Sequence, residues 1–232
     1  MTAFADLATL CPSPTSTPTA PDWSGVEDTL GMGLPTDYKE LVAAYGPGSF
    51  CDFLTLFLPG APHESTDLTG PLPARLREWI SQARRADPRP GPLPGPAEQL
   101  LVMAVTGNGD YLFWVAQPSD CPEDWTVAVN SRLEREWFPF DGGLAEFLLA
   151  VLNGTAAVPQ FPADLLEHGA GFTPRTHRTP PSGTTPGPAS GHRSMNLREV
   201  REWARANGYN LPDRGRIPSA VVEAWQRAHP DA

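Results

Sequence analysis

Cysteine is scarce in this chain of 232 residues: Cys11, Cys51 and Cys121 lie far apart and are odd in number. No CxxC pair occurs, and no histidine stands at zinc-ligand spacing from any of the three, which excludes a zinc ribbon and a disulfide framework. Long apolar runs are also missing; none approaches the ~18 residues that a membrane helix needs. The first residues hold no basic stretch followed by an apolar one, so no secretory leader is expected. These absences lead to an expectation of a cytoplasmic protein in a reducing compartment, with no membrane partner.

Catalytic signatures are missing too. GxxxxGK[ST], HExxH and GxSxG do not occur. Gly107-Asn108-Gly109-Asp110 fails as a dinucleotide fingerprint, because the third glycine and a following helix are absent. His63, His168, His177, His192 and His229 form no spaced pair, and Asp52, His63 and Glu64 make a weak grouping. The expectation is a binding protein and not an enzyme, with no catalytic residue, no metal and no cofactor.

Basic residues are outnumbered, 17 Lys and Arg against 27 Asp and Glu, for a net charge of −10. The average hides an asymmetry. Residues 1–172 hold eight basic and 22 acidic residues, a net of −14, whereas residues 173–232 hold nine arginines and five acids, a net of +4. Two parts with different partners are implied.

What is plentiful is proline and glycine, 28 and 21 residues, too many for one compact unit and gathered in stretches. Residues 1–21, rich in Pro, Thr and Ser, read as a disordered tail. Residues 22–154 read as a globular α+β domain. A helix is expected from Pro35, with Tyr38, Leu41, Val42 and Tyr45 at helical spacing and Gly46 as its stop. Ser49–Leu58 reads as one strand, and Leu72–Arg85 as a helix with Leu72, Leu76, Trp79 and Ile80 facing inward. Leu100–Thr106 and Tyr111–Gln117 read as a hairpin about an Asn-Gly turn. Trp125–Ser131 and Arg135–Phe140 read as strands, and Leu144–Leu152 as a short helix stopped by Asn153-Gly154. An antiparallel sheet with flanking helices follows. Residues 155–195 read as an extension and a linker, whose 23 residues from 173 to 195 would span roughly 25–30 Å.

Residues 196–232 read as a small two-helix module. Asn196 suits an N-cap with Glu199 three residues on, and Leu197, Val200, Trp203 and Ala204 make one apolar stripe before Gly208. A second helix is expected from Pro218, carrying Val221, Val222, Ala224, Trp225 and Ala228. Between them lies Arg214-Gly215-Arg216. The minor groove of A·T tracts is narrow and electronegative, which attracts guanidinium groups, and the guanine amino group of a G·C pair obstructs it. Gly215 has no side chain, so the backbone can approach the groove floor while the two arginines spread to either side.

The run Leu197-Arg-Glu-Val-Arg-Glu-Trp-Ala-Arg-Ala-Asn-Gly-Tyr209, then Asp213-Arg-Gly-Arg-Ile-Pro218 and Val221-Val-Glu-Ala-Trp225, resembles the DNA-binding domain of the Lsr-type, H-NS-like nucleoid proteins of actinobacteria. The resemblance implies that Arg214, Gly215 and Arg216 enter the minor groove of A·T-rich double-stranded DNA, with Arg198, Arg201 and Arg205 as candidate phosphate contacts. The oligomerisation domain of those proteins is not recognisable here, and the module's net charge of +1 predicts weak binding by a single copy. Bridging and silencing would then need self-association.

Trp23 … Leu30-Gly31 … Leu34-Pro-Thr-Asp-Tyr-Lys-Glu-Leu41 … Tyr45-Gly-Pro-Gly-Ser-Phe50 resembles the opening of the SUKH (Smi/Knr-like) superfamily. Gly109-Asp-Tyr-Leu-Phe-Trp114, Trp125-Thr-Val-Ala-Val-Asn130 and the helix around Phe147 fit the same pattern. That resemblance implies an α+β protein-interaction scaffold. Its partner is unidentified and could be a toxin, since many bacterial members are immunity proteins. Two functions remain: a nucleoid-associated A·T-binding protein with an interaction domain, or a toxin-immunity or adaptor protein whose DNA-binding tail only localises it.

Overall fold

The structure, a computed structural model, describes residues 2–15, 19–86, 93–131 and 136–175, together with Trp203, Trp225 and Ala228. The chain divides into two units, Met1–Thr176 and His177–Ala232. The first contains helices α1 (Ala3–Leu10), α2 (Trp23–Leu30), α3 (Thr36–Tyr45), α4 (Pro71–Ala86) and α5 (Leu144–Leu152). Its strands are β1 (Gly48–Phe50), β2 (Leu54–Leu56), β3 (Leu100–Thr106), β4 (Tyr111–Val115), β5 (Thr126–Asn130), β6 (Trp137–Phe140) and β7 (Phe172–Pro174).

The seven strands form one sheet in the order β6-β5-β4-β3-β2-β1-β7, every neighbouring pair antiparallel. The mixed α+β class expected from the sequence is therefore observed. Strands β3, β4 and β5 are buried at nearly every residue, so both faces of the middle of the sheet are covered. Trp114 meets Tyr38 of α3 edge-on at 5.0 Å, and the neighbouring Phe113, pointing the opposite way, meets Trp137 at 5.3 Å. Helix α4 packs on β3 through Leu76 and Ile80, one turn apart and both buried.

The β3–β4 hairpin shows how local sequence fixes the register. Gly109 takes φ 87° in the loop Gly107-Asn108-Gly109, and Asn108 does not share the left-handed conformation expected of it. The loop is locked from below: Thr106 Oγ1 donates to Asp110 Oδ2 at 3.0 Å and accepts from Asp110 N at 3.0 Å, both residues being buried.

Several expectations are corrected. The single strand Ser49–Leu58 is instead the hairpin β1–β2. Cys51 and Asp52 both adopt φ 50°, and Phe53 N donates back to Phe50 O at 3.0 Å. Two consecutive left-handed residues without glycine gave no turn signal in the sequence. Trp79, expected inward, is 44% exposed, because Leu76 and Ile80 already fill the contact line.

Residues 2–11, assigned to a disordered tail, form α1 and its cap. Leu7 and Cys11 are fully buried, and the Tyr45 hydroxyl donates to Cys11 O. The end of the globular domain expected at residue 154 is also too early, since the first compact unit runs to Thr176. Phe161 packs against Phe53 at 5.2 Å, and β7 pairs with β1 through Gly48, Ser49 and Phe50. Phe172 lies 5.0 Å from both Tyr45 and Phe50. Isolated apolar residues among prolines and glycines carry no periodicity, so this closing strand was hidden.

Candidate functional site

The residues singled out for DNA, Arg198, Arg201, Arg205, Arg214, Gly215 and Arg216, lie outside the described residues, as does the whole of the 155–195 segment beyond Arg175. Of the second unit, Trp203, Trp225 and Ala228 are helical, and the rest of the two expected helices lies outside the described residues. Trp225 is 6% exposed and Trp203 half-buried, whereas Ala228 is exposed.

In the first unit the N-terminal ends of α1, α3 and α5 line a single cavity of about 330 Å³ together with the 3-10 turn Pro122–Asp124. This volume lies at the lower end of the range for small-ligand pockets, enough for one side chain or a small molecule. Phe4 and the buried Trp114 and Trp125 border it; Asp37, Glu40, Glu123 and Glu146 supply carboxylates, and among the described residues no basic side chain lines it.

Local capping accounts for part of this acidity. Glu123 Oε1 accepts from Thr36 N at 3.0 Å and from Thr36 Oγ1 at 2.7 Å, tying the 3-10 turn to the start of α3. Asp37 Oδ2 accepts from Ala145 N at 2.8 Å, and Glu146 Oε2 accepts from Gly143 N at 3.0 Å, so both serve the first turn of α5. Each helix start carries a partial charge of roughly +0.5. Three such ends against four carboxylates leave the cavity distinctly negative.

Capping does not account for everything. Glu40 is exposed and makes no hydrogen bond or ion pair among the described residues. Asp37 Oδ1 and Trp114 Nε1 are shielded from water and have no hydrogen-bond partner among the described residues. A buried polar atom left in this state costs about 1–3 kcal/mol. Burial raises the Asp37 carboxyl above its ordinary range, with Glu123 adding to the rise and the Ala145, Tyr38 and Leu144 amides opposing it. The neighbouring aromatics are by contrast well served: Trp125 Nε1 donates to Pro118 O at 2.8 Å, and Tyr38 donates to Phe57 O at 2.7 Å.

None of these cavity residues was identified from the sequence as a site. The available signal was the helix-start chemistry, Pro35-Thr36-Asp37 and Gly143-Leu-Ala-Glu146, which says where a helix begins but not that two starts converge. The Asp52, His63 and Glu64 grouping dissolves: Asp52 sits in the β1–β2 turn, and Glu64 pairs with Arg75 at 2.6 Å. Among the described residues no cluster of His, Cys, Asp or Glu is arranged to hold a metal, and no helix is long and apolar enough to cross a membrane.

The second unit is arginine-rich where the first is acidic, so the two differ in the charge of the partner they suit. The particular kind follows from comparison: residues 193–228 match the Lsr2 DNA-binding domain, so the chain carries a domain of this type at its C-terminal end. No solved structure matches the chain.

Proposed function

We propose that this is a nucleoid-associated protein that grips A·T-rich DNA by inserting Arg214-Gly215-Arg216 into the minor groove, while its SUKH-like first unit engages a protein partner. The observation that carries the reading is the Lsr2 DNA-binding domain match over 193–228, which contains the Arg-Gly-Arg loop and both flanking amphipathic runs. Arg198, Arg201 and Arg205 add phosphate contacts. The role is binding and not catalysis, and the site of action is the nucleoid in the cytoplasm.

Titration of fluorescent A·T-rich and G·C-rich duplexes tests this. A·T binds more tightly, a minor-groove drug competes, and Arg214→Ala or Arg216→Ala abolishes the preference. A logarithmic salt slope for about 2–4 phosphates is expected, shallow because the module is nearly neutral. Equal affinity for both duplexes, or blockage by major-groove methylation but not by the drug, refutes it.

A second reading is favoured by the acidity of the first unit, −14 over residues 1–172. Such a surface steers a basic protein toward it, as an immunity or adaptor protein requires. Capture of a stoichiometric toxin by the full chain in a pull-down supports that role, with the DNA-binding module acting as a localiser. Self-association alone favours a nucleoid architecture.

A further inference from the structure

We propose that helix α4 is a second DNA contact, one that reads no sequence: its exposed arginines lie on the phosphate backbone of the duplex that the C-terminal domain holds. The inference goes beyond the groove reading, because it gives the first unit a share in DNA binding. It rests only on the chain's having a DNA-binding domain.

Charge is sorted sharply within residues 1–172. Five of their eight basic residues, Arg75, Arg77, Arg84, Arg85 and Arg89, fall between positions 75 and 89, against the two acids Glu78 and Asp87, a net of +3. The remainder holds three basic residues against 20 acidic ones, a net of −17. Arg89 lies outside the described residues, and the other four arginines are on α4.

The fold puts this charge where a macromolecule can reach it. Leu76 and Ile80 are buried against β3, whereas Arg75, Arg84 and Arg85 are exposed and Arg77 is half-buried. Arg75, Glu78, Gln82 and Arg85 follow one another at spacings of three and four, so they form one stripe on the solvent side. Glu78 is engaged by Gln82, whose Nε2 donates to its Oε1 at 2.7 Å. Arg75 meets Glu64 at 2.6 Å with both side chains more than half exposed, a pairing weak enough to yield to a phosphate. The ends of the stripe are about 15 Å apart, the length of about four base-pair steps.

Local roles do not account for the cluster. Arg84 and Arg85 complement the dipole at the last turn of α4, but Arg75 and Arg77 lie about two turns earlier and gain nothing from it. The occupant follows from charge and connection. An acidic unit tied to a DNA-binding domain is repelled by the duplex except along a surface of opposite sign, and α4 supplies that surface. Both contacts belong to one chain, so the second forms at high effective concentration. It adds to the grip of a module whose own net charge is only +1.

The test compares the full chain with an Arg84→Gln, Arg85→Gln double variant in titrations of fluorescent A·T-rich duplexes. Duplexes of about 30 and about 6 base pairs are used, roughly 100 Å and 20 Å long, the shorter being too short to lie under both units. On the long duplex the wild type is expected to show a logarithmic salt slope steeper than the variant's by about two, an extra loss of affinity of about tenfold between about 50 and 200 mM salt. On the short duplex the two proteins should bind alike, and the preference for A·T over G·C should be the same in both. Arg75→Gln, at the other end of the stripe, should lower the slope by about one, and it decides the matter where the double variant shifts the urea midpoint. Equal slopes on the long duplex overturn the inference, and so does a loss of equal size on the short one. A wild-type dimer in DNA-free sedimentation that the double variant splits overturns it too, by assigning the arginines to an interface between copies. Failure of the groove reading shows separately, as an A·T preference that survives Arg214→Ala, and leaves the slope difference between wild type and the α4 variants intact.

Discussion

Removal of the Phe172 ring tests whether the chain beyond residue 154 belongs to the first fold. In the structure β7 is the edge strand and lies along β1, and Phe172 is the side chain that fastens it, 5.0 Å from the rings of Tyr45 and Phe50. Deleting a fully buried phenylalanine costs about 3–5 kcal/mol. Phe172 is only partly buried, which lowers the area term, but two edge-type ring contacts each add about 0.5–1.5 kcal/mol. Phe172→Ala should therefore destabilise by about 2–4 kcal/mol. Urea unfolding of the full chain reads this through tryptophan fluorescence, since Trp23, Trp79, Trp114, Trp125 and Trp137 all lie in the first unit. With a urea slope of about 2–3 kcal/mol per molar, the midpoint falls by about 1 M.

Gly48 supplies an internal control. A Cβ there would fall against the Phe172 ring and 2.5 Å from Thr173 O. Gly48→Ala should loosen β7 in the wild type and also in the Phe172→Ala background, because the backbone clash survives loss of the ring. A Phe172→Ala protein within about 0.5 kcal/mol of wild type, the usual range of an exposed substitution, refutes the assignment of β7 to this fold.

Three further outcomes are expected. Tyr38→Phe strands the buried carbonyl of Phe57 and should cost about 1–3 kcal/mol in the same urea assay; a neutral effect would mean that the 2.7 Å hydrogen bond contributes nothing. In an alkaline ultraviolet titration Tyr45, pushed up to about 12 by burial and by Cys11, and Tyr38, pushed higher by burial and by Asp67, should ionise only as the protein unfolds. The Cys11 thiol, pushed up to about 11 chiefly by burial and then by Cys51, should resist a disulfide reagent at pH 8 until denaturant is added.

The pH dependence of Asp37 follows from burial. Its folded carboxyl titrates above 3.8, so over that window the folded state binds more protons than the unfolded state, and its contribution to stability falls as pH rises. Asp37→Asn removes that slope. The stability of the variant relative to wild type should therefore improve from pH 4 upward; a decline in urea midpoint difference over the same range would reverse the sign and refute it.

Much of the fold was legible because it is written in short-range patterns. The 3.6-residue spacing of Tyr38, Leu41, Val42 and Tyr45 marked α3, the run from Leu144 to Leu152 marked α5, and a glycine-rich turn between two apolar runs marked the β3–β4 hairpin. The C-terminal DNA-binding domain was legible for the same reason: about 35 consecutive residues carry a family's pattern, and residues 193–228 match the Lsr2 DNA-binding domain.

Tertiary structure alone decided the rest. Helix α1 is a short apolar stretch beside a Pro-, Thr- and Ser-rich run, and it became part of the fold only when Leu7 and Cys11 found the space beside α3 and α5. Strand β7 exists because Phe172 meets two rings that are more than 120 residues earlier in the chain. The acidic cavity is the clearest case. Asp37 and Ala145 are 108 residues apart, and Thr36 and Glu123 are 87 apart, yet each pair is hydrogen-bonded. A sequence states which residues begin a helix, because capping is a matter of three or four neighbours. It does not state that three helices begin at one place, because that depends on how the sheet between them folds.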